Sequence, residues 1–435
     1  MKKRGSVTLD WETKNQNYDL SSSNNIVEIE QVYPFVYHGD IISINDIPDS
    51  KLESLNGRLI KGDNQNIMAN LLHNNYKDAF DLIYLDPPYF SDINYKSKIN
   101  VGDKDKPEII NRNVFDDKWK NLDDYLDYIF PILKLSRDLL SEQGSLLVHV
   151  DWHASHYIKI LLDEIFSKDR FINEIIWCYG GGSGAKRHFH RKHDTILWYS
   201  KTNKYIFNPQ YRPYTEKTLN RGLTKVKGSK YVLNKKGALM QDWWIDINKI
   251  LSPTAYENLK FPTQKPIALL ERIIKASSNE NSLVGDFFAG SGTTAEAAEK
   301  LGRSWVVCDQ SSIAIQTTHN RLINCNAKPF TIESLDVQSN KLTDIDIVCN
   351  YMDGILTINL LTKPGTTSKL IDFWEIGISD KNVFKSLIQV TRPNNKTYDL
   401  PDKVRLTGID QVWRENLVVR VYDFVGNVFT KAKPF

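Results

Sequence analysis

The sequence lacks the features that mark secreted, membrane-bound or disulfide-held proteins. It has four cysteines among 435 residues and no CxxC pair, which disfavours a disulfide framework and a structural zinc site. No apolar run approaches the roughly 18–20 residues of a membrane span, and no apolar stretch follows the basic start MKKRG to complete a secretory signal. These absences predict a cytoplasmic protein with no membrane partner.

Two phosphate-binding signatures are also missing. GGGSGAK at 180–186 fails the spacing of a P-loop, and FAGSGTT at 288–294 has neither a P-loop lysine nor the third glycine of a dinucleotide site. A glycine loop that ends on Thr-Thr without lysine suits a ligand that carries no triphosphate. The histidine-rich stretch HVDWHASH at 149–156 spans a predicted strand end and helix start, so we assign it to packing and the rim of a site and predict no metal.

Positive charge is concentrated in one segment. Residues 186–236 contain fourteen Lys and Arg against two acids, a local net charge of +12, so the other residues sum to −9 in a chain whose total is +3. A basic segment on an acidic body is typical of a surface that binds a polyanion. A solvated basic loop is the alternative interpretation.

Strand and helix patterns alternate over residues 56–178 and again over 261–334, on both sides of the basic segment. Such alternation predicts one α/β domain with a doubly wound, Rossmann-like sheet that carries the basic segment as an insert. Residues 335–435 read as short strands between Gly, Asn and Pro turns, which predicts a small C-terminal all-β domain. The polar segment 90–119 shows no periodicity and predicts a mobile loop.

Two predicted strand ends carry unusual residues. YLDPPYFSD at 84–92 follows an apolar run, and its two prolines make a stiff turn between a carboxylate and an aromatic ring. GDFFAGSGTT at 285–294 reads as strand, glycine turn and helix, and Thr293 and Thr294 are predicted to cap that helix. The first stretch alone is equally a strand-terminating turn. Ligands of open α/β sheets bind beyond the carboxyl ends of the strands, which favours a site here.

Two further acids end predicted strands. Asp309 lies about twenty residues past the glycines, where this topology places an acceptor for ribose hydroxyls. A helix cap is its alternative role. Asp63 follows the strand GRLIKG and is within reach of an adenine amine or a ribose in the same topology.

Together these stretches resemble the amino-group DNA methyltransferases that use S-adenosylmethionine. DPPY at 86–89 resembles their catalytic motif, FAGSGTT resembles their cofactor motif, and FPTQKP at 261–266 resembles a segment that precedes it. The catalytic motif comes first and the basic segment lies between the two. That is the permuted order of the β group, which includes single-chain bacterial adenine methylases and the modification subunits of type III restriction systems.

The resemblance implies roles for individual residues. The predicted regions are an N-terminal arm at 1–55, a catalytic half at 56–178, a target-recognition insert at 179–260, a cofactor-binding half at 261–334 and a C-terminal β-rich domain at 335–435. The predicted catalytic residues are Asp86, Pro87, Pro88 and Tyr89. The predicted ligands of S-adenosylmethionine are Asp63, Thr263, Gln264, Lys265, Asp286, Phe288, Ala289, Gly290, Ser291, Gly292, Thr293, Thr294 and Asp309. The predicted DNA contacts are Lys186, Arg187, Arg191, Lys192, Arg212, Arg221, Lys225, Lys227 and Lys230.

The expected chemistry explains these residue types. The exocyclic amine of a base is a poor nucleophile, because its lone pair is delocalised into the ring. The Asp86 carboxylate and the Pro87 carbonyl would accept its two N–H groups and aim the lone pair. Tyr89 would stack on a base flipped out of double-stranded DNA, and Phe288 would pack against the methionine part of the cofactor.

Several alternatives stay open from the sequence. Asp at the first position of the DPPY motif favours methylation of adenine N6, whereas enzymes that act on cytosine N4 more often carry Ser at that position. A non-catalytic DNA-binding subunit of a restriction complex and a methylase of RNA or of protein glutamine are the other hypotheses. The sequence also leaves open a homodimer, a cognate restriction subunit and the recognition sequence.

Overall fold

The computed structural model describes residues 7–14, 25–37, 39, 41–47, 54–101, 108–181, 186–220, 225–226, 229–230, 233–250, 257–335, 345–362, 370–392 and 400–432. Within these ranges no helix combines the length and apolar character needed to cross a membrane.

The strands and helices follow the predicted alternation. The N-terminal region contains β1 Val27–Val32 and β2 Ile41–Ser43. The first α/β half contains β3 Gly57–Lys61, α1 Asn64–His73, β4 Phe80–Leu85, β5 Ile93–Val101, β6 Glu108–Asp117, α2 Leu122–Leu139, β7 Leu140–Val150, α3 Ser155–Phe166, β8 Phe171–Cys178 and β9 His193–Ser200. The insert contains β10 Tyr211–Arg212, α4 Glu216–Asn220, β11 Lys225–Val226, β12 Ser229–Lys230, β13 Ala238–Leu239 and β14 Trp243–Trp244.

The second half and the C-terminal region complete the chain. The second α/β half contains α5 Ile267–Ser277, β15 Leu283–Asp286, α6 Thr293–Lys300, β16 Ser304–Asp309, α7 Ser312–Asn324 and β17 Phe330–Ser334. The C-terminal region contains β18 Ile345–Met352, β19 Ile355–Thr362, β20 Ile371–Asp380, β21 Val383–Val390, β22 Lys403–Thr407, α8 Gln411–Asn416, β23 Leu417–Asp423 and β24 Val428–Ala432.

A central sheet of parallel strands carries the fold. The strands β7-β4-β15-β16-β3-β17 lie side by side and parallel. β4 is an almost unbroken apolar run, FDLIYL, because both of its faces are covered. Ile83 packs with α1, α2 and α3 on one face, and Tyr84 packs in the cluster of α5, α6 and α7 on the other. Helices on both faces confirm the prediction of a doubly wound α/β sheet.

The order of the strands reverses between β4 and β15. From β4 the chain continues to β7 on one side, whereas from β15 it continues to β16 on the other. These two strands are parallel neighbours, with Leu82 opposite Val284 and Tyr84 opposite Asp286. The turn after β4 and the loop after β15 therefore emerge together, at the switch point where open α/β sheets bind ligands.

The C-terminal strands extend this sheet. β1 pairs antiparallel with β17 and parallel with β21, and the order continues through β20, β23 and β24. A second sheet, ordered β18-β19-β22-β2, shares an apolar cluster with these strands that includes Ile358, Trp374 and Val419. The β-rich C-terminal region is thus hydrogen-bonded to the α/β sheet through β1.

The prediction of a mobile loop at 90–119 is wrong for the residues that the structure describes. β5 and β6 form an antiparallel hairpin whose register runs from Ile93 opposite Asp117 to Val101 opposite Glu108. The period-two pattern was hidden because some inward-facing positions are polar. Arg112 is buried, and its guanidinium donates to the Ser97 hydroxyl at 3.0 Å.

Candidate active site

The turn after β4 presents the Asp86 carboxylate. The Tyr89 hydroxyl donates to its Oδ1 and the Lys265 ammonium donates to its Oδ2. Burial, followed by the charge of Asp86, raises the pKa of Tyr89 well above its ordinary value, so the hydroxyl stays protonated and acts as a donor. Both carboxylate oxygens are therefore held by side-chain donors, one from the same turn and one from the segment before α5.

Asp117, at the end of β6, organises the backbone of the same turn. It accepts the N–H groups of Tyr89 at 3.0 Å, Phe90 at 3.1 Å and Ser91 at 2.9 Å. The indole of Trp119 donates to it at 2.8 Å. Phe90 has a φ of +62°, an uncommon conformation for a residue other than glycine, and these hydrogen bonds stabilise it. Asp117 escaped prediction because it lies in the hairpin that was read as a loop.

Tyr125, an aromatic residue of α2, contacts the turn through both its hydroxyl and its ring. The Tyr125 hydroxyl donates to the Pro88 carbonyl at 3.0 Å. The Phe90 ring lies 5.5 Å from the Tyr125 ring, centroid to centroid. The second proline is thus tied to α2, while Pro87 lines the pocket.

A buried histidine links the turn to the neighbouring strands. The ring nitrogens of His149 lie 2.8 Å from the Tyr84 hydroxyl and 3.2 Å from Asp194 Oδ2. Burial, followed by the charge of Lys265, lowers the pKa of His149, which keeps the ring neutral. Its ring stacks on Tyr89 at 6.2 Å, so it supports that aromatic side chain. His149 thus serves packing, and the same prediction for the rest of the stretch 149–156 stays a prediction.

The glycine loop joins β15 to α6. Gly292, with a φ of +75°, is the N-cap of α6, and no side chain caps that end. The prediction that Thr293 and Thr294 cap the helix is therefore wrong. Both lie inside the first turn and are buried, and they bond to neighbouring segments: Thr294 Oγ1 donates to Asp286 at 2.5 Å, and Thr293 Oγ1 donates to the Lys265 carbonyl at 3.2 Å.

Asp309 and Arg321 hold the glycine loop from β16 and α7. Asp309 accepts the N–H of Gly290 at 2.9 Å and that of Ser311 at 2.8 Å. Burial raises the pKa of Asp309, and these backbone donors oppose the shift. Arg321 donates to the Ser291 carbonyl at 3.1 Å. Ser311, not Asp309, caps α7, and Arg321 carried no sequence signal that distinguishes it from an ordinary helix arginine.

These elements line one pocket, which opens to solvent. All four predicted catalytic residues and eleven of the thirteen predicted cofactor residues line it. The two exceptions are Gly292, which shapes the loop, and Asp63, which caps α1 by accepting the N–H of Asn66 at 3.0 Å. The lining that was not predicted includes Asn64, Tyr128, Phe261 and the hairpin residues Tyr95, Val114, Phe115, Asp116 and Asp117.

The predicted DNA contacts are spread over the insert. Lys186, Arg187 and Arg191 are exposed, and the Arg191 guanidinium lies 4.0 Å from the centroid of the Trp152 ring. The ammonium of Lys192 donates to the Gly181 carbonyl. Arg212 lies in β10. Lys225 and Lys230 face each other in the pairing of β11 with β12, and Arg221 and Lys227 lie outside the described residues.

A carboxylate-bearing turn and a glycine loop that meet at the switch point define the class of protein. Residues 80–320 match the family described as DNA methylase, and the chain belongs to that family. The chain is 30% identical over 330 residues to the type II methyltransferase M.EcaI of Enterobacter cloacae, a match that covers 62% of this chain and 70% of that protein. It is 28% identical over 263 residues to the DNA adenine methyltransferase YhdJ of Escherichia coli (strain K12), covering 56% of this chain and 76% of that protein. Among solved structures, the M1.HpyAVI–SAM complex matches with a TM-score of 0.41 and 22% identity, over 61% of this chain and 98% of that chain.

Enzymes of this family take the methyl group from S-adenosylmethionine, and the cavity suits such a ligand. Asn64 Oδ1 is buried in its wall, and no hydrogen-bond partner for this atom is found among the described residues. The amide of Asn64 donates to the Phe287 carbonyl at 3.3 Å, which orients the free oxygen. An acceptor of this kind suits a ligand rich in N–H and O–H donors. Burial also raises the pKa of Asp286 to about 7.

Proposed function

We propose that this DNA methylase methylates N6 of adenine in double-stranded DNA, on a base that is flipped out of the helix. The observation that carries the proposal is the position of Asp86, which lines the same cavity as the glycine loop. The leading residue of the motif is aspartate, and one of the relatives is named a DNA adenine methyltransferase. Methylation of cytosine N4 is the rival hypothesis.

The residues divide the work between two ends of the cavity. S-adenosylmethionine supplies an activated methyl group. We infer that Asp309 accepts from its ribose, that Phe288 packs against its methionine part, and that the glycine loop lies along it. The flipped adenine enters at the other end, beside Tyr89 and Asp86.

Asp86 can accept the amine without releasing its present partners. Each carboxylate oxygen has more than one lone-pair direction, so an N–H can bind while Tyr89 and Lys265 stay in place. The Pro87 carbonyl accepts the second N–H. Two acceptors at rigid positions orient the nitrogen lone pair toward the methyl carbon, which is positioning combined with electrostatic preorganisation.

The insert is the proposed DNA-binding region. Lys186, Arg187, Arg191, Lys192 and Arg212 neutralise phosphates, and few of them reach base edges. DNA affinity should therefore fall steeply as salt rises. We further propose that the enzyme acts in the cytoplasm and that a cognate restriction subunit or a second copy assembles with it.

Nucleoside analysis of methylated DNA tests the proposal. Purified protein with S-adenosylmethionine should convert adenine to N6-methyladenine in duplex DNA, and long-read sequencing should map a single recognition site. Recovery of N4-methylcytosine instead would establish the rival hypothesis. The variant Asp86→Ala should lose turnover and still bind S-adenosylmethionine in calorimetry, because Asp86 serves the amine and not the cofactor. Near-normal turnover by this variant would show that the catalytic centre lies elsewhere.

A further inference from the structure

Phe189 projects into solvent from a strongly basic segment. Residues 186–193, KRHFHRKH, form what we call the basic tip. The Phe189 side chain is 99% exposed, more than any other large apolar side chain in the described parts of the chain. In the sequence, histidine, lysine and arginine residues stand on both sides of it. A fully exposed ring loses the benefit of burial, so a partner that receives the ring is the natural explanation.

The basic tip leaves the sheet at the same end of the strands as the turn after β4, which carries Asp86. β7 is parallel to β4, and β9 is antiparallel to β7 with Val150 opposite Thr195. β8 is antiparallel to β9 and ends with Cys178 opposite His193. The connection from β8 to β9 therefore projects beyond the carboxyl ends of β4 and β7, where Asp86 lies.

The base of the basic tip is anchored to this edge. The Tyr179 hydroxyl donates to Asp194 at 2.7 Å, and Asp194 contacts His149, on which Tyr89 stacks. On the same side of the tip, Arg191 lies 4.0 Å from the centroid of the Trp152 ring. These contacts hold the C-terminal part of the tip to β8 and to the turn after β7, while the Phe189 side chain stays exposed.

We propose that Phe189 is a wedge that enters the base stack when the target base is flipped out, and that its ring fills the gap left behind. This inference rests on the proposed function. The lysines and arginines on either side bind the flanking phosphates and bring the ring to the duplex. Apolar wedges that enter between base steps unstack them, and stacking of the ring on the exposed base faces compensates for the lost stacking.

Two duplexes that share the mapped recognition site separate this role from simple DNA binding. In one duplex the target base is paired, and in the other an abasic residue stands opposite it, which removes the base pair. Phe189→Ala should lower kcat/KM on the paired duplex by on the order of tenfold, because the stacking that is lost has that magnitude. On the abasic duplex the deficit should shrink to about twofold. Phe189→Trp should retain most activity on both.

A flipping signal and a control complete the test. With 2-aminopurine at the target position, wild-type protein should raise the fluorescence on binding, and Phe189→Ala should raise it far less. Val412→Ala, an exposed apolar residue on α8, should behave as wild type in every assay. An equal deficit of Phe189→Ala on both duplexes, or no deficit on either, overturns the wedge. Wild-type protein that methylates neither duplex instead refutes the proposed function, and the wedge with it.

Discussion

The Lys265 ammonium binds the Asp86 carboxylate across 179 positions of the sequence. The same nitrogen lies 5.4 Å from the centroid of the Tyr89 ring. The main-chain carbonyl of Lys265 accepts the Thr293 hydroxyl at 3.2 Å, at the start of α6. One residue thus contacts both the turn after β4 and the helix behind the glycine loop. The sequence predicts Lys265 as a ligand of the cofactor, and in the structure its charged group binds the carboxylate that we propose to be catalytic.

Replacing Lys265 should therefore affect turnover more than cofactor binding. In Lys265→Met, Asp86 loses the cation that holds Oδ2, and kcat should fall by on the order of 10²-fold because the acceptor is misplaced. The Kd for S-adenosylmethionine, measured by calorimetry, should change by no more than about threefold. Lys265→Arg restores the charge and should recover part of kcat. A large loss of cofactor affinity with unchanged kcat would show instead that Lys265 binds the cofactor.

Asp117 should be needed for the shape of the turn. It accepts three consecutive backbone N–H groups. Asp117→Asn keeps its size but removes the charge and one acceptor oxygen, so we expect kcat to fall by about tenfold or more and stability to drop by roughly 1–3 kcal/mol. Steady-state kinetics and urea unfolding measure the two effects. Asp123→Asn, in the first turn of α2, is the matched control. If both variants behave alike, Asp117 does not organise the site.

The sheet and the motif residues were predictable because their patterns are local. β4 is an apolar run that ends at two prolines, and α6 begins just after two glycines, so strand ends and loops were evident from single windows of sequence. The meeting of Asp86 with the glycine loop followed from the resemblance, and the structure adds the physical reason, which is the parallel pairing of β4 with β15.

The residues that support the site were not predictable, because their contacts join segments that are distant in the sequence. Asp117 and Arg321 act through backbone groups of distant segments, and no local pattern distinguishes a carboxylate or guanidinium that will do so. The hairpin β5–β6 was missed because its inward positions include Ser97 and Arg112, which make the strand pattern look polar. Pairing of polar groups across the hairpin emerges only when the two strands are adjacent.

Gly292 should tolerate no side chain. Its φ of +75° disfavours other residues, and a Cβ at this position would lie 2.6 Å from Thr318 Cγ2. Gly302 has a similar φ of +71°, but no atom lies within 4 Å of a Cβ placed there. Gly292→Ala should therefore cost roughly 1–3 kcal/mol more than Gly302→Ala, because only the first adds overpacking to the backbone strain. Urea unfolding of both variants measures the difference, and equal losses would show that φ alone matters.

A buried cluster joins the C-terminal strands to the α/β domain. Glu30 of β1, His319 of α7 and Glu375 of β20 bring their ligand-type atoms within 4.8 Å of one another. Arg420 and Tyr422 donate to Glu30 Oε2 at 2.9 and 3.0 Å. Burial, followed by the charge of Glu375, raises the pKa of Glu30 to about 8. Burial lowers the pKa of His319 to about 4. At neutral pH, Glu30 therefore holds a proton in the folded chain.

This proton should make stability depend on pH. Unfolded Glu30 titrates near the ordinary glutamate pKa of 4.5 and the folded residue near 8, so the folded chain binds the extra proton and stability falls as pH rises between these values. His319 acts in the opposite direction, between about 4 and the ordinary histidine pKa of 6.5. Above pH 6.5 the effect of Glu30 is thus unopposed by His319. The variant Glu30→Gln mimics the protonated side chain and should lose this contribution.

Urea unfolding at pH 6.5 and at pH 8.5 tests the contribution of Glu30. Burial also raises the pKa of its neighbour Glu375, which is present in both proteins. Relative to Glu30→Gln, the wild-type chain should lose on the order of 1–2 kcal/mol of unfolding free energy between the two pH values, since one proton is released over this window. Asp286, whose pKa is raised to about 7, titrates in both proteins and cancels in the comparison. Glu271→Gln, on α5, should follow the wild-type curve. If the Glu30→Gln and wild-type curves run parallel instead, Glu30 is ionised throughout, and Arg420 compensates its charge even in the buried cluster.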